Sequence, residues 1–265
     1  MRLLTLRAIC RVISLVLALG IIPLPAHAAA ACGGDFGAWL QGLKQDAAAA
    51  GVSQRTIQAA LANVTYDPTI IARDHAQGVF KQSFEQFSGR MVPPRLARGR
   101  NMLIQYGSIF NKIEDQFGVP GPVIVAIWGL ETDFGTNPGK FPTIRSLASL
   151  AYDCRRPDFF TDQLYAALKL VDRGALSGST RGSMHGEVGQ TQFMPKNILA
   201  YGTGNLDVAA NALSSTANFL KAHGWRAGAG YQPGEANFAA IEAWNAAQVY
   251  QKAIAIMGRQ IDGGG

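Results

Sequence analysis

The chain has 265 residues, 48% of them hydrophobic and 16% charged, with a formal net charge of +6. That length suits one large domain, or a main domain with a small appendage. The basic residues form no run with interleaved aromatics, which argues against nucleic acid as a partner.

Arg2, Arg7 and Arg11 precede an almost wholly apolar run from Val12 to Ile22, and Ala26-His27-Ala28 follows as a small-x-small site. This pattern predicts a signal peptide over residues 1–28. The apolar run is short for a membrane span, so secretion is the better reading and an uncleaved anchor the alternative. Losing those three arginines lowers the net charge from +6 to +3. Such a mildly basic chain suits an anionic polymer but is ordinary for a soluble protein. Cys10 leaves with the leader, and Cys32 and Cys154 remain. In an oxidising compartment two such cysteines often pair, which would tie the N-terminal arm to the body. Two other fates stay open: free thiols, or lipidation at Ala29-Ala30-Ala31-Cys32-Gly33, which lacks the usual leucine three residues before the cysteine.

The rest reads as all-α, or nearly so, because no segment alternates with a period of two. Phe36 to Ala50 carries a helical apolar stripe, and Ser53 caps a short helix to Leu61. These form a helical arm over residues 29–65, ahead of a main domain over 66–260. Asp67-Pro68 opens a segment with Ile70, Ile71 and Phe80 as core candidates, and Val92-Pro93-Pro94 breaks it. One long helix is expected from Arg95 to Phe117. After Gly118, a helix from Pro122 to about Glu131 is apolar all round and must be central. Pro157 begins a helix with Phe160, Leu164, Leu168 and Val171 inward, stopped by Gly174. Leu176 to Phe193 is rich in glycine and serine without a period. Asp207 is expected to cap a helix through Leu220. Gly228 to Gly234 is loop, and a last helix is expected from Ala236 to Met257.

Glu131 stands out at the end of the apolar helix. Continuous hydrophobe before it disfavours the charged carboxylate. The helix C-terminus adds roughly 0.3–1 kcal/mol against negative charge. A glutamate of this kind can stay protonated near neutral pH, as an acid that cleaves a glycosidic bond must. The residue could equally leave the helix into water or pair with an arginine. Asp133 and Glu187 are candidate second carboxylates. His75, His185 and His223 are isolated from one another, with His185 in the glycine-rich loop the most plausible as a catalytic group. No metal-binding, phosphate-loop or nucleophile-elbow motif is present.

The run Ala126-Ile127-Trp128-Gly129-Leu130-Glu131-Thr132-Asp133-Phe134-Gly135 resembles the catalytic signature of lytic murein transglycosylases of the membrane-bound B type. Phe141, Leu150-Ala151-Tyr152-Asp153, Arg155-Arg156, Phe159-Phe160 and Leu164 continue the family pattern. So do Gly186, Gly189, Gln192-Phe193-Met194-Pro195, Ala217-Asn218-Phe219-Leu220-Lys221, His223-Gly224-Trp225, Trp244-Asn245 and Tyr250. The likeness spans roughly residues 35 to 258. It implies a lysozyme-like core that cleaves the MurNAc–GlcNAc bond of peptidoglycan and leaves 1,6-anhydro-MurNAc ends. Glu131 would serve as acid and then base, and Ser183 would orient the acid or the sugar acetamido group. Gln192, Trp244, Asn245 and Tyr250 would contact glycan, with Trp244 standing where the family usually has tyrosine. No cofactor is implied. The partners implied are glycan strands and cell-wall synthesis or remodelling proteins, for a monomer in the periplasm.

Two departures from the family are visible. An acidic loop that binds calcium in some members is here Gly202-Thr203-Gly204-Asn205-Leu206-Asp207, with one carboxylate, so no calcium is expected. The family's Trp/Tyr-Ala-Gly-Ala run is Met184-His185-Gly186-Glu187, which alters the cleft roof. The competing functions are a hydrolytic muramidase using a second carboxylate and a wall-binding protein without activity.

Overall fold

The computed structural model describes residues 32–76 and 82–263. The signal peptide expected over 1–28, the first residues of the arm and the core candidate Phe80 lie outside them. The regular elements of the described residues are helices, apart from one short two-stranded ladder and an isolated bridge between Val188 and Phe193.

The first three helices begin where the sequence supplies a capping side chain. Asp35 accepts from Ala38 N–H ahead of α1 (Phe36–Ala49), Ser53 from Thr56 ahead of α2 (Gln54–Leu61), and Asp67 from Thr69 ahead of α3 (Pro68–His75). Each such cap satisfies an orphan amide and is worth about 1 kcal/mol. A reciprocal capping box between Ser83 and Gln86 starts α4 (Phe84–Met91), a helix the apolar pattern did not reveal.

The long helix expected from Arg95 to Phe117 is two helices, α5 (Pro93–Gln105) and α6 (Gly107–Phe117). Tyr106 leaves helical geometry at φ −101° and ψ 17°, and Gly107 beside it is a poor helix former that makes a break cheap there. α7 (Gly121–Thr132) follows, with β1 (Phe141–Pro142), α8 (Thr143–Tyr152) and α9 (Pro157–Asp172) behind it. β1 pairs antiparallel with β2 (Arg181–Gly182), Phe141 opposite Gly182. After α10 (Pro195–Tyr201) comes α11 (Ala209–Ala222). Asp207 does not cap it: Val208 occupies that position without a side-chain bond, while the Asp207 N–H turns back to Asn205 Oδ1 at 2.9 Å. The expected terminal helix is also divided, into α12 (Phe238–Trp244) and α13 (Gln248–Ile261). Asn245 is extended between them, and its Oδ1 accepts from Ala247 N–H at 2.9 Å.

Two hydrophobic clusters organise the helices. One gathers residues of α4–α7 and α11–α13. The other joins α1–α3 to α8 and α9, so the segment read as an arm shares its core with two later helices. Cys32 and Cys154 are bridged within this half, 122 residues apart with Cα atoms 5.2 Å from each other.

α7 is the axis of the first cluster, and α5, α6, α11 and α13 all pack on it. Every residue of α7 is buried except Glu131. Each large apolar side chain in it contributes about 1.5–3 kcal/mol. Gly129 has a packing reason, since a Cβ there would lie 2.7 Å from Phe134 Cζ and 2.9 Å from Met257 Cε. Among the described residues no helix is long and apolar enough to cross a membrane.

Candidate active site

The end of α7 is closed by its own chain and by α5. Asp133 and Phe134 take left-handed backbone, at φ 50° and 58°, which turns the chain sharply away from the helix. Arg95 of α5 donates from Nε to the Gly129 carbonyl at 2.9 Å and pairs with Asp133 Oδ1 at 2.7 Å. Asp133 is therefore neutralised on the far side of the turn and does not line the cleft. Trp128 Nε1 donates to Gln190 Oε1 at 3.0 Å, and Thr132 Oγ1 donates to the Gln190 carbonyl at 2.5 Å. These two bonds fix the glycine-rich loop against α7.

Glu131 projects from this rigid end into a cleft of about 460 Å³, whose lining includes Arg156, Phe159, His185, Glu187 and Asn245. A recess of about 80 Å³ adjoins it, bounded by Glu131, Glu187, Gln192 and Asn197. A larger cavity of about 520 Å³ opens near Leu170 and Asp207, but Asp207 is the one titratable group there. Size does not single out the site; its chemistry does.

By surface area Glu131 is half-buried, but the protein packed around its carboxyl removes most of its hydration. That desolvation, with the nearby charge of Glu187 second, pushes its pKa up to about 8. Hydrogen bonds from Trp244 and Tyr250 pull the other way. Trp244 Nε1 donates to Glu131 Oε1 at 2.9 Å. Burial also raises the Tyr250 phenol well above its usual range, with Glu131 adding to the effect.

Of the five residues named beside Glu131, the four expected to contact glycan lie in this cleft and its recess. Trp244 stands edge-on to Phe193 and Phe219, at 5.3 and 5.1 Å between centroids. Asn245 follows it at the α12–α13 junction and faces both compartments. Tyr250 is buried at the back. Gln192 lines the recess from a left-handed backbone at φ 53°, its Nε2 donating to the carbonyls of Pro138 and Gly189. The fifth, Ser183, stands one step back: its hydroxyl donates to Glu187 Oε2 at 2.7 Å.

Sequence reasoning missed Asp74, which is only 1% exposed. It pairs with Arg155 at 3.0 Å, Arg156 at 2.9 Å and His185 at 3.1 Å, and so holds two side chains of the cleft wall from α3. No local pattern signals such a hub, because its partners are 81 to 111 residues away. Arg156 also lies over the Phe160 ring at 4.8 Å. The other two histidines are structural. His75 pairs with Asp153, and His223 stacks on Phe219 at 3.9 Å between centroids.

The loop from Gly202 to Asp207 does not suit a calcium ion. Its oxygens serve protein donors: Asn205 Oδ1 accepts from Asp207, the Asn205 carbonyl from Asn211, and the Asp207 carbonyl from Gln190. Asp207 supplies the loop's one carboxylate, whereas a calcium site normally needs several.

An all-helical body with one desolvated glutamate at the end of a buried helix, facing an aromatic-walled cleft, is the lysozyme-like lytic transglycosylase architecture. Solved structures share it. SltB3 from Pseudomonas aeruginosa, in complex with NAG-NAM-pentapeptide, superposes with a TM-score of 0.82 at 28% identity, covering 88% of this chain and 81% of that one. The Escherichia coli lytic transglycosylase Slt35, in complex with bulgecin A, gives 0.76 at 22% identity over 90% of this chain and 98% of that one. In sequence, membrane-bound lytic murein transglycosylase B of Escherichia coli (strain K12) is 32% identical over 144 residues, which are 51% of this chain and 40% of the relative. The match to that curated relative thus spans less than half of its length. Residues 35–234 match the Transglycosylase SLT domain family, and the chain belongs to it.

Proposed function

We propose that this protein is a peptidoglycan lytic transglycosylase with Glu131 as its single proton-transfer group. The observation that carries the reading is a carboxyl held at the end of a rigid buried helix, facing an open cleft and bonded by Trp244, where desolvation pushes its pKa up to about 8. Such a group is protonated at neutral pH and can donate to a leaving oxygen. The aromatic faces of Trp244 and Phe159 suit sugar rings, and Asn245 offers an amide for their polar edges. That SltB3 was solved with NAG-NAM-pentapeptide supports a glycan strand as the ligand class.

Glu131 gives its proton to the oxygen between MurNAc and GlcNAc, and the bond to the anomeric carbon breaks with its electron pair on that oxygen. The muramoyl 6-hydroxyl attacks the anomeric carbon and returns its proton to Glu131, leaving a 1,6-anhydro end. One carboxylate suffices, because an intramolecular nucleophile has a high effective concentration. The N-terminal pattern supports export to the periplasm, where the wall polymer lies.

Glu131→Gln tests the reading: release of soluble muropeptides is expected to fall by about 10³-fold or more while the fold is retained. Activity within about tenfold of wild type would remove Glu131 from the role. Glu187, in the same cleft, favours a second reading, a hydrolytic muramidase in which it activates water. Reducing MurNAc ends in the digest would select that reading, and anhydro ends the first.

A further inference from the structure

We propose that Glu187 is a second functional carboxylate of this cleft, placed to stabilise positive charge on the sugar while Glu131 transfers its proton. The inference rests on the transglycosylase reading and concerns a residue which that mechanism leaves unused.

The turn that carries Glu187 is built to present its side chain. Ser183 N–H donates to the Glu187 carbonyl at 2.9 Å, and Gly186 N–H to the Ser183 carbonyl at 3.1 Å. Gly186 sits at φ +85°, where a Cβ would come within 2.4 Å of Leu147 Cδ2, so glycine alone fits. Ser183 Oγ accepts from the amides of His185 and Glu187 at 3.1 and 3.2 Å and gives its own proton to Glu187 Oε2 at 2.7 Å. The carboxylate is thus folded back over its own turn and held on one oxygen. Glu187 borders both the main cleft and the recess, and Glu131 borders both with it.

Glu187 is held by the Ser183 hydroxyl, much as Asp172 is held by those of Ser53 and Thr56, but unlike Asp172 it borders the cleft. The ion pairs of the described residues engage Asp67, Asp74, Asp133, Asp153 and Asp162, but not Glu187. Glu187 is half-buried and borders the same cavities as Glu131, so its charge acts on the reacting centre. Its charge helps keep Glu131 protonated. The other charged or titratable groups around the two acids are Arg156 at the start of α9, His185 in the turn and Tyr250 of α13, with Arg95, bound to Asp133, acting on Tyr250 from behind. As the glycosidic bond breaks, positive charge develops at the anomeric carbon, and a fixed negative charge beside it favours that state. Glu187 forms and breaks no bond: the proton still passes from Glu131 to the leaving oxygen and returns from the 6-hydroxyl.

Glu187→Gln and Glu187→Asp test this, with digestion of purified sacculi followed across pH and folding checked by thermal melting. The Gln variant is expected to lose about 10²-fold in kcat with little change in KM. Its alkaline limb should move to lower pH, because Glu131 loses the neighbouring charge. The Asp variant should recover part of both effects. Wild-type kcat and an unmoved alkaline limb in Glu187→Gln would overturn the proposal. So would reducing ends made by wild type and lost in that variant, since Glu187 would then be a base for water. If wild type makes neither kind of end, it is the transglycosylase reading that fails.

Discussion

Glu131 is a carboxyl whose environment opposes its charge, and that has consequences for stability as well as chemistry. Its folded-state pKa of about 8 lies above the ordinary value of 4.5, so the native state holds this proton more tightly than the unfolded chain does. Its neutral form is accommodated below about pH 4.5, and stability is lost as pH rises from there towards about 8. Glu131→Gln, neutral at every pH, is therefore expected to melt above wild type at pH 8 and level with it near pH 4. Equal melting temperatures across that range would mean that the carboxyl is well solvated. Trp244 provides the complementary test. Its indole N–H stabilises the charged form, so Trp244→Phe should raise the Glu131 pKa further and move the alkaline limb of activity upward. A limb that stays in place would show that the 2.9 Å bond is not maintained in solution.

At the scale of elements, α7 was legible because an apolar run of its length can only be buried, and its C-terminal glutamate followed directly. The neighbouring elements were less so. Tyr106-Gly107 and Asn245-Ala246-Ala247 lie inside stretches whose apolar pattern continues across them, so periodicity joined α5 to α6 and α12 to α13. Those breaks come from tertiary demands, and the second sets Trp244 and Asn245 at the mouth of the cleft. The Ser83–Gln86 capping box could have revealed α4 locally. Arg95 could not have been assigned, since its partners Gly129 and Asp133 are joined to it only by packing. Its role predicts that Arg95→Ala leaves the α7 end uncapped and lowers stability by about 1–3 kcal/mol, measured by urea unfolding. A loss under about 0.5 kcal/mol would mean that the turn holds without it.

For the whole molecule, the family pattern captured the helical body and drew most of the cleft residues together from positions as distant as 131 and 250. Ser183 stands behind the cleft, its hydroxyl donated to Glu187, a side chain that enters this cleft where the family run has alanine. The disulfide makes a demand of its own: it joins Cys32 to the loop that carries Arg155 and Arg156. Closing a loop of that length is worth about 4–5 kcal/mol in the chain-entropy account. Replacing both cysteines with serine should lower the melting temperature clearly while leaving the pH profile of activity in place, because Glu131 lies in the other half of the core. An unchanged melting temperature would show that the bridge adds nothing to the second cluster.

The central claim is that one glutamate moves the proton in both directions while the sugar supplies its own nucleophile. Mass spectrometry of sacculus digests, with wild type and Glu131→Gln side by side, tests it most directly. Anhydro-muramoyl ends from the wild type and no soluble product from the variant are expected. Reducing ends from the wild type, or anhydro ends from the variant at a comparable rate, would contradict it.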